Sequence, residues 1–431
     1  MTDTGTGGAT RADAANTQGD GLESPGTPQI VDPVTGRVST SVGDYVRGYG
    51  DRLRAGDYGN LPILVGLLMI VVVFTILEPV FLSPRNFVNL ILQMTALTTI
   101  AIGIVFVLLL GEIDLSVGFV SGVAAVTMAR LSVEEGLPWF VAILGAIVVG
   151  AVIGLIQGTV ITRFRVPSFV VTLAGLLIWN GAVLITIAGR GTLRIADPVI
   201  RGLANAYLPD LVAYLIVAVF VVGFGALELT RRRSRVAANL PAVPIAIIGA
   251  RIAFTAVLML AAVFYANQER GIPYAGLLLL VALVFWSLVA NRTAFGRHVY
   301  AVGGNAEAAR RAGINVARIR TLVFVIASSM AALGGIFGAS RFQSVDPSVG
   351  GGDLLLNSIA AAVIGGTSLF GGRGKVTSAL FGALVIGTVI NGMALLNLSA
   401  GARYVVTGLV LLAAVLVDAL STRGRSARGM A

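Results

Sequence analysis

The stretch from Leu137 to Ile161 reads LPWFVAILGAIVVGAVIGLIQGTVI, and none of its 25 residues is charged. A helix needs about 20 mostly apolar residues to span the hydrocarbon core of a bilayer. Further apolar stretches of this kind lie between residues 61 and 420, and several of them are short or rich in glycine. We therefore predict an all-α polytopic membrane protein with about ten to twelve transmembrane helices, some of them broken. Besides Leu137 to Ile161, the predicted spans are Leu61 to Leu77, Phe87 to Leu110, Leu115 to Leu131, Phe169 to Ala188, Leu211 to Leu227, Ile245 to Ala266, Tyr274 to Ala290, Leu322 to Phe337, Leu354 to Phe370, Val376 to Leu396 and Tyr404 to Leu420.

The composition of the whole chain supports this fold class. Of its 431 residues, 56% are hydrophobic and only 12% are charged, whereas a soluble domain carries about 25% charged residues. The chain has no cysteine, which excludes disulfides and thiolate metal sites. Its single histidine, His298, argues against an imidazole-based catalytic cluster. A membrane-embedded enzyme is therefore not predicted.

Arginine placement predicts the orientation. If the N-terminus is cytoplasmic, the inner segments hold 22 basic residues and the outer segments eight, with Arg251 inside an apolar run. Basic residues favour the cytoplasmic side, so both termini are predicted to be cytoplasmic. This asymmetry explains the net charge of +10 without a nucleic-acid partner.

The chain divides into a permease region and two tails. Residues 1–60 form a tail without an apolar signal-peptide core, and its first 40 residues have a composition typical of disorder. Within the tail, Ser41 to Arg54 favours a short helix on the membrane surface, with a solvated linker as the alternative. Residues 61–420 form the membrane region, with a loop at 291–320, and residues 421–431 form a cytoplasmic tail.

Two pairs of similar segments suggest an internal repeat. The segment Gly111 to Leu115 (GEIDL) resembles Gly350 to Leu354 (GGGDL), and Gly145 to Gly150 resembles Gly382 to Gly387. Seven predicted spans separate the paired elements, so the halves would run in opposite directions. Inverted repeats with broken helices are a recurrent transporter design. Chance similarity between glycine-rich helices is the alternative.

The segment Gly111 to Gly118 places two acids between two apolar helices. Ionisable residues at membrane depth are costly and often mark a pathway or gate. Asp114 is also expected to cap the helix that begins at Leu115, and a purely structural junction is the alternative. Isolated amides elsewhere are suited to a neutral polyhydroxylated solute, although such amides also bond across helices. The residues predicted for the pathway or gate are Glu112, Asp114, Ser116, Asn180, Asn357 and Asn391.

The longest inner loop, Asn291 to Arg320, contains a short helix with its own start and stop signals. Asn305 can cap a helix from Ala306 to Ala312, and Gly313 can end it. A helix this short is unstable alone, so it is expected to dock on another protein; a solvated connector is the alternative.

The segment Gly371 to Lys375 (GGRGK) looks like a phosphate-binding loop, but Leu369 and Val376 replace its required glycine and hydroxyl residues. No cofactor or nucleotide is therefore predicted for this chain.

Three segments resemble the signatures of ribose/xylose-type permeases of ATP-binding-cassette sugar importers. They are Gly111 to Gly118, Phe295 to Gly313 and Ala360 to Gly374, and the similarity covers about residues 60 to 420. The additional apolar pair around Arg231 to Asn267 resembles the larger, xylose-type members. Glu112 departs from the family pattern, which often has glycine there. By the same resemblance, the predicted ATPase-coupling residues are Gly296, Arg297, Asn305, Glu307, Ala308, Ala309, Arg310 and Gly313.

The resemblance implies a homodimeric inner-membrane permease, embedded in lipid, that imports a monosaccharide, with a pentose such as xylose as the expected substrate. An ATPase subunit would bind its cytoplasmic face and a solute-binding protein its outer face. A proton-coupled secondary transporter that uses Glu112 and Asp114 is the alternative.

Overall fold

The structure is a computed structural model. It describes residues 61–238, 240, 242–410 and 412, together with Gly43, Arg47 and Gly50. The surface helix predicted at Ser41 to Arg54 falls, apart from those three residues, outside the described part, as does the C-terminal tail. The last predicted span is described only in its first part, and residues 400–410 are helical.

The described chain is almost entirely helical, with one pair of short strands. A 3-10 helix covers Pro79–Leu82, and the antiparallel strands β1 (Leu193–Arg194) and β2 (Ser344–Val345) pair Leu193 with Val345. The helices are α1 (Leu61–Leu77), α2 (Pro84–Leu109), α3 (Val117–Val133), α4 (Trp139–Phe164), α5 (Ser168–Ile187), α6 (Pro198–Asn205), α7 (Asp210–Ala237), α8 (Ile245–Asn267), α9 (Tyr274–Arg292), α10 (Ala294–Gly304), α11 (Ala306–Arg311), α12 (Val316–Phe342), α13 (Leu354–Ile364) and α14 (Ser378–Leu395).

Eight of the described helices are long and apolar enough to cross a membrane. They are α2, α4, α5, α7, α8, α9, α12 and α14, and the shorter apolar helices are α1, α3 and α13. The prediction of an all-α polytopic membrane protein with some shortened helices is therefore confirmed.

Some helix boundaries differ from the predicted ones. α12 begins at Val316, six residues before the predicted Leu322, because Asn315 caps it by accepting a hydrogen bond from the Arg318 N–H at 2.9 Å. Its first turns contain Arg318 and Arg320, and these charged residues lower the local hydropathy, so a hydropathy pattern does not include the turns in the predicted span. α13 ends at Ile364 instead of Phe370, where Gly365 and Gly366 follow and Gly366 adopts a φ of 96°. α10 was not predicted at all.

The core lies between α2 and α12, and their packing is reciprocal. α2 packs against α12, α13 and α14, while α12 packs against α2, α3 and α4. Large side chains such as Phe106 of α2 and Phe324 of α12 are fully buried there. Since α2–α3–α4 and α12–α13–α14 are the segments paired by the predicted repeat, the reciprocal contacts agree with it.

A stripe of glycines lets α4 approach α12 closely. Gly150, Gly154 and Gly158 recur at four-residue spacing, and a Cβ at Gly158 would lie 2.8 Å from the Thr321 Cα. In lipid, helices associate by close packing of small residues because no hydrophobic driving force acts between them. The stripe therefore holds α4 against the central helix α12.

The α7–α8 hairpin lies at the edge of the bundle. Its apolar side chains are largely exposed, as lipid-facing residues are, and Phe254 is 70% exposed. Arg251 of α8 pairs with Glu228 of α7 at 3.9 Å, and Glu228 also pairs with Arg231 at 3.3 Å. These three charged side chains thus contact one another within the hairpin.

Candidate functional site

Two breaks in the helical chain meet inside the bundle. The first junction, residues 111–116, joins α2 to α3, and the second junction, residues 343–353, joins α12 to α13. A Cβ on Gly118, in the first turn of α3, would lie 2.7 Å from the carbonyl oxygen of Gly350. A Cβ on Gly351, in the second junction, would lie 3.4 Å from the ring of Phe119 in α3. The two broken segments are therefore in backbone contact.

A buried chain of hydrogen bonds holds the first junction. Asp114 is 3% exposed, and its Oδ1 accepts hydrogen bonds from the Ser116 N–H at 2.8 Å and the Ser116 hydroxyl at 2.7 Å. Gln157 of α4 donates from Nε2 to the Ser116 oxygen at 2.9 Å. The second carboxylate oxygen of Asp114 is buried and has no described partner. One acceptor in this junction therefore remains available.

The remaining residues of the first junction contact α5 and α12. The Ser168 hydroxyl accepts a hydrogen bond from the Ile113 N–H at 3.4 Å, and Thr172 donates to the Ile113 carbonyl at 3.2 Å. The carboxylate of Glu112 forms an ion pair with Nε of Arg320 at 3.1 Å. Both acids are thus engaged in specific contacts, Asp114 internally and Glu112 with the start of α12.

Glycines bring the ends of α2 and α10 together with the loop that follows α13. The N–H of Gly372 donates to the Leu109 carbonyl at 2.9 Å, and a Cβ on Gly303 would collide with that same carbonyl oxygen. The half-buried Tyr300 hydroxyl donates to the Gly374 carbonyl at 2.9 Å. Burial raises the pKa of Tyr300 above its ordinary value, so the hydroxyl stays protonated as a donor. Three segments that are far apart in sequence therefore form one backbone anchor.

The predicted short helix is present as α11 and carries its predicted cap. Asn305 accepts a hydrogen bond from the Ala308 N–H at 2.9 Å. Gly313, with a φ of 84°, follows the helix in the left-handed conformation that favours glycine. Ala309 is buried against the core, whereas Glu307 is exposed and pairs with Arg310 at 2.5 Å and Arg311 at 3.3 Å. One face of α11 is thus fixed to the bundle and the charged face is free to contact a partner.

The other predicted coupling residues lie on α10 and α11. Gly296 is buried in the first turn of α10, where its N–H donates to the Thr293 hydroxyl at 3.2 Å, whereas Arg297 is exposed. Ala308 is exposed beside the buried Ala309.

The other predicted pathway residues do not join the first junction. Asn391 of α14 exchanges two hydrogen bonds with Asn86 of α2, at 2.7 and 2.9 Å, as an interhelical contact does. Asn357 of α13 is 4% exposed, and its Oδ1 is without a described partner. Asn180 is half-buried on α5. Their role in a pathway stays a prediction, as does that of the acids.

A cavity of about 1020 Å³ opens next to the first junction. Its wall includes Glu112 and Ser168 on one side and the segment from Gly313 to Arg320 on the other. Arg165, which ends α4 in a left-handed conformation with a φ of 56°, and Arg310 of α11 also line it. We call the part of the bundle around Arg165, Arg310 and Arg320 the arginine-rich end. Within the described ranges, no group of three or more acidic or histidine side chains is placed to hold a metal ion.

Residues 86–415 match the family described as "Branched-chain amino acid transport system / permease component". The chain belongs to this permease family. The permease is 37% identical to the xylose transport system permease protein of Escherichia coli (strain K12), a match that covers 84% of the chain and 93% of that relative.

Two other relatives agree with this result. The xylose transport system permease protein of Haemophilus influenzae is 35% identical, over 83% of the permease and 96% of the relative. The ribose import permease protein of Bacillus subtilis (strain 168) is 33% identical, over 82% and 91%. These relatives confirm the resemblance to ribose/xylose-type permeases. No solved structure matches the chain.

Several residues outside the predicted pathway set also contact the first junction. Gln157, Ser168 and Thr172 reach it from α4 and α5, and Arg320 reaches it from α12. Gln157 is one of the isolated amides of the apolar helices, for which the sequence leaves substrate contact and interhelical bonding as alternatives. Ser168, Thr172 and Arg320 carry no sequence signal that assigns them to this junction.

Proposed function

We propose that this permease is the membrane-spanning subunit of an ATP-driven importer that moves a monosaccharide, and specifically a pentose such as xylose, into the cytoplasm. ATP would be hydrolysed by a partner ATPase subunit. The observation that carries the proposal is the arrangement at the arginine-rich end. A capped helix, α11, exposes charged side chains there and is followed directly by α12, whose Arg320 holds the first junction.

This arrangement supplies a mechanical connection between a partner and the pathway. The buried Ala309 fixes α11 to the core, and the backbone anchor at Gly303 joins α10 to the end of α2. A force on α11 would therefore act on α2, which ends at the first junction, and on α12, which contacts the junction through Arg320. Alternating access needs such a two-state element that nucleotide binding on another subunit can bias.

A sugar is favoured over an amino acid by two observations. The family description mentions branched-chain amino acids, but the relatives described above are named for xylose and ribose. The predicted pathway residues also include amides and a hydroxyl, which are suited to a neutral polyhydroxylated solute. Asp114 and Asn357 each keep one buried oxygen without a described partner, and each of these oxygens is able to accept a hydrogen bond from a sugar hydroxyl.

The proposal includes the assembly and the orientation of the permease. Two copies would form the pathway in the inner membrane, a solute-binding protein would deliver the sugar to the outer face, and both termini would be cytoplasmic. Because the chain has no cysteine, single cysteines at Arg232 and Arg310 can be tested with impermeant thiol reagents in intact cells. Both are expected to resist labelling, and strong labelling at Arg310 would contradict the orientation.

The function is tested by reconstituting the permease in vesicles with the ATPase subunit and the solute-binding protein of the same importer. Uptake of labelled xylose is expected to require ATP, to resist an uncoupler and to be inhibited by unlabelled xylose or ribose but not by leucine. The substitutions Glu307→Arg and Gly313→Pro are expected to abolish this uptake without changing the amount of permease in the membrane. Normal uptake by both variants would overturn the coupling role of α11.

A proton-coupled transporter is the second candidate, since the buried carboxylate of Asp114 has one oxygen without a described partner. Uptake that needs no ATP and is abolished by an uncoupler would favour it.

A further inference from the structure

The cavity at the arginine-rich end has a charge that the coupling role of α11 does not explain. Its lining residues include three arginines, Arg165, Arg310 and Arg320, and one acidic residue, Glu112. Arg320 pairs with Glu112 at 3.1 Å, and Arg310 pairs with Glu307 outside the cavity wall at 2.5 Å. Arg165 forms no ion pair with any residue in the described part of the chain. Among the described residues, the cavity therefore contains one arginine, Arg165, without a paired carboxylate.

The walls of the cavity indicate which side an occupant would come from. One wall is the turn between α4 and α5, and the other is the end of α11 with the segment that starts α12. α11 is a short charged helix and is not among the helices that are able to cross a membrane. An occupant that contacts Arg310 and Arg320 together would thus approach from the aqueous side, next to the exposed face of α11.

The chemistry of the cavity favours a carboxylate. Guanidinium groups bind carboxylates in a bidentate manner, and complementary charges at an interface determine its register and its rate of association. The cavity also exposes the pair formed by Glu112 and Arg320, in which the Arg320 side chain is 34% exposed. An incoming carboxylate would compete with Glu112 for Arg320.

We propose that this cavity is a second docking site for the ATPase subunit, which inserts an acidic side chain between Arg165 and Arg320. This inference rests on the proposed function, because it requires that an ATPase subunit binds the permease. This contact would lie beside the contact that α11 makes with the ATPase subunit. It would act directly on the first junction, because the acid of the ATPase subunit would replace Glu112 as the partner of Arg320.

The experiment compares two arginines of the same turn. Arg165 lines the cavity, whereas Arg163, two residues earlier in α4, is exposed and does not. Arg165→Gln and Arg163→Gln permeases are placed in nanodiscs of neutral lipid, and binding of the ATPase subunit is titrated at low and high salt. Arg165→Gln is expected to weaken binding about tenfold at low salt, and less at high salt. Arg163→Gln is expected to match the wild type, and Arg165→Lys, which keeps the charge, to retain most of the affinity.

The outcomes separate this inference from the proposed function. A wild-type permease that binds no ATPase overturns both. Normal binding by Arg165→Gln, or equal weakening by Arg163→Gln, overturns the docking site alone. The thermal stability of the permease with and without anionic phospholipid gives a further outcome. If Arg165→Gln leaves ATPase binding unchanged but removes a stabilising effect of this lipid, the cavity is a lipid headgroup site. That result also overturns the inference.

Discussion

The two junctions contain the same local turn, which is buried in the first junction and exposed in the second. In the first junction, Asp114 accepts hydrogen bonds from the N–H and the hydroxyl of Ser116. In the second junction, Asp346 accepts the same two hydrogen bonds from Ser348, at 2.7 and 2.5 Å. Asp114 is buried beside Gln157, whereas the contacts of Asp346 are exposed. Sequence repetition pairs Asp114 with Asp353, whose side chain makes no capping hydrogen bond.

The difference between the junctions shows that the turn and its environment have separate causes. An aspartate side chain is able to accept a hydrogen bond from the backbone N–H two residues later, so this turn needs only local residues. Burial of the first turn depends on α4, α5 and α12, which supply Gln157, Ser168 and Arg320. Since a buried polar group costs more to disrupt than an exposed one, equivalent substitutions should have unequal effects at the two junctions.

The largest effect is expected at the backbone anchor of the first junction. Gly303→Ala would place a methyl group against the Leu109 carbonyl oxygen and force α10 away from α2. Overpacking of this kind costs about 1–3 kcal/mol or more, so the variant is expected to lose thermal stability in detergent and xylose uptake. Gly304→Ala is the matched control, because nothing lies within 4 Å of its Cβ position. Equal behaviour of the two variants would show that the anchor is not needed.

A smaller effect is expected when each aspartate is replaced. Asp114→Leu would remove the buried acceptor of the Ser116 N–H and hydroxyl, at a cost of about 1–3 kcal/mol, and should reduce uptake strongly. Asp114→Asn keeps an acceptor for both hydrogen bonds and should be tolerated better. Asp346→Leu, at an exposed turn, should change stability by about 0.5 kcal/mol or less. If Asp114→Asn and Asp114→Leu lose uptake equally at normal protein levels, the proton-carrier alternative gains support.

The ion pair at the edge of the first junction should matter less than its buried aspartate. Glu112→Gln removes the partner of Arg320, and the pair is partly exposed, so uptake is expected to fall about twofold to fivefold rather than disappear. Arg320→Gln should have a similar effect, and the double variant should be no worse than either single one. Additive losses in this cycle would show that the two side chains act independently.

The smallest effect is expected away from both junctions. Arg251 lies on the peripheral hairpin and pairs with Glu228, which keeps Arg231 as a second partner. Arg251→Leu should therefore leave the preference among xylose, ribose and arabinose unchanged in competition assays. An altered preference would show that α8 lines the transport pathway. Substitutions at the periphery would then affect transport as substitutions at the junctions do.

The sequence determines the features of this protein that depend on local chemistry. Apolar length gives the spanning helices, because lipid requires every backbone group to bond within its own segment. Asn305 and Gly313 mark the two ends of α11, and GEID marks the first junction, since caps and turns use residues within a few positions of each other. The charged first turns of α12 escape a hydropathy pattern although Asn315 caps them, and the short α10 gives no such pattern and packs against α2 and α9.

Tertiary structure alone decides which distant residues share a site. The contacts of Gly303 with Leu109, of Gly118 with Gly350 and of Glu112 with Arg320 join segments separated by about 190 to 230 residues. A single sequence contains no signal for such pairs, because each partner has a plausible role in its own helix. The physical reason is that burial and charge pairing arise when helices pack, and packing depends on the whole set of neighbouring surfaces.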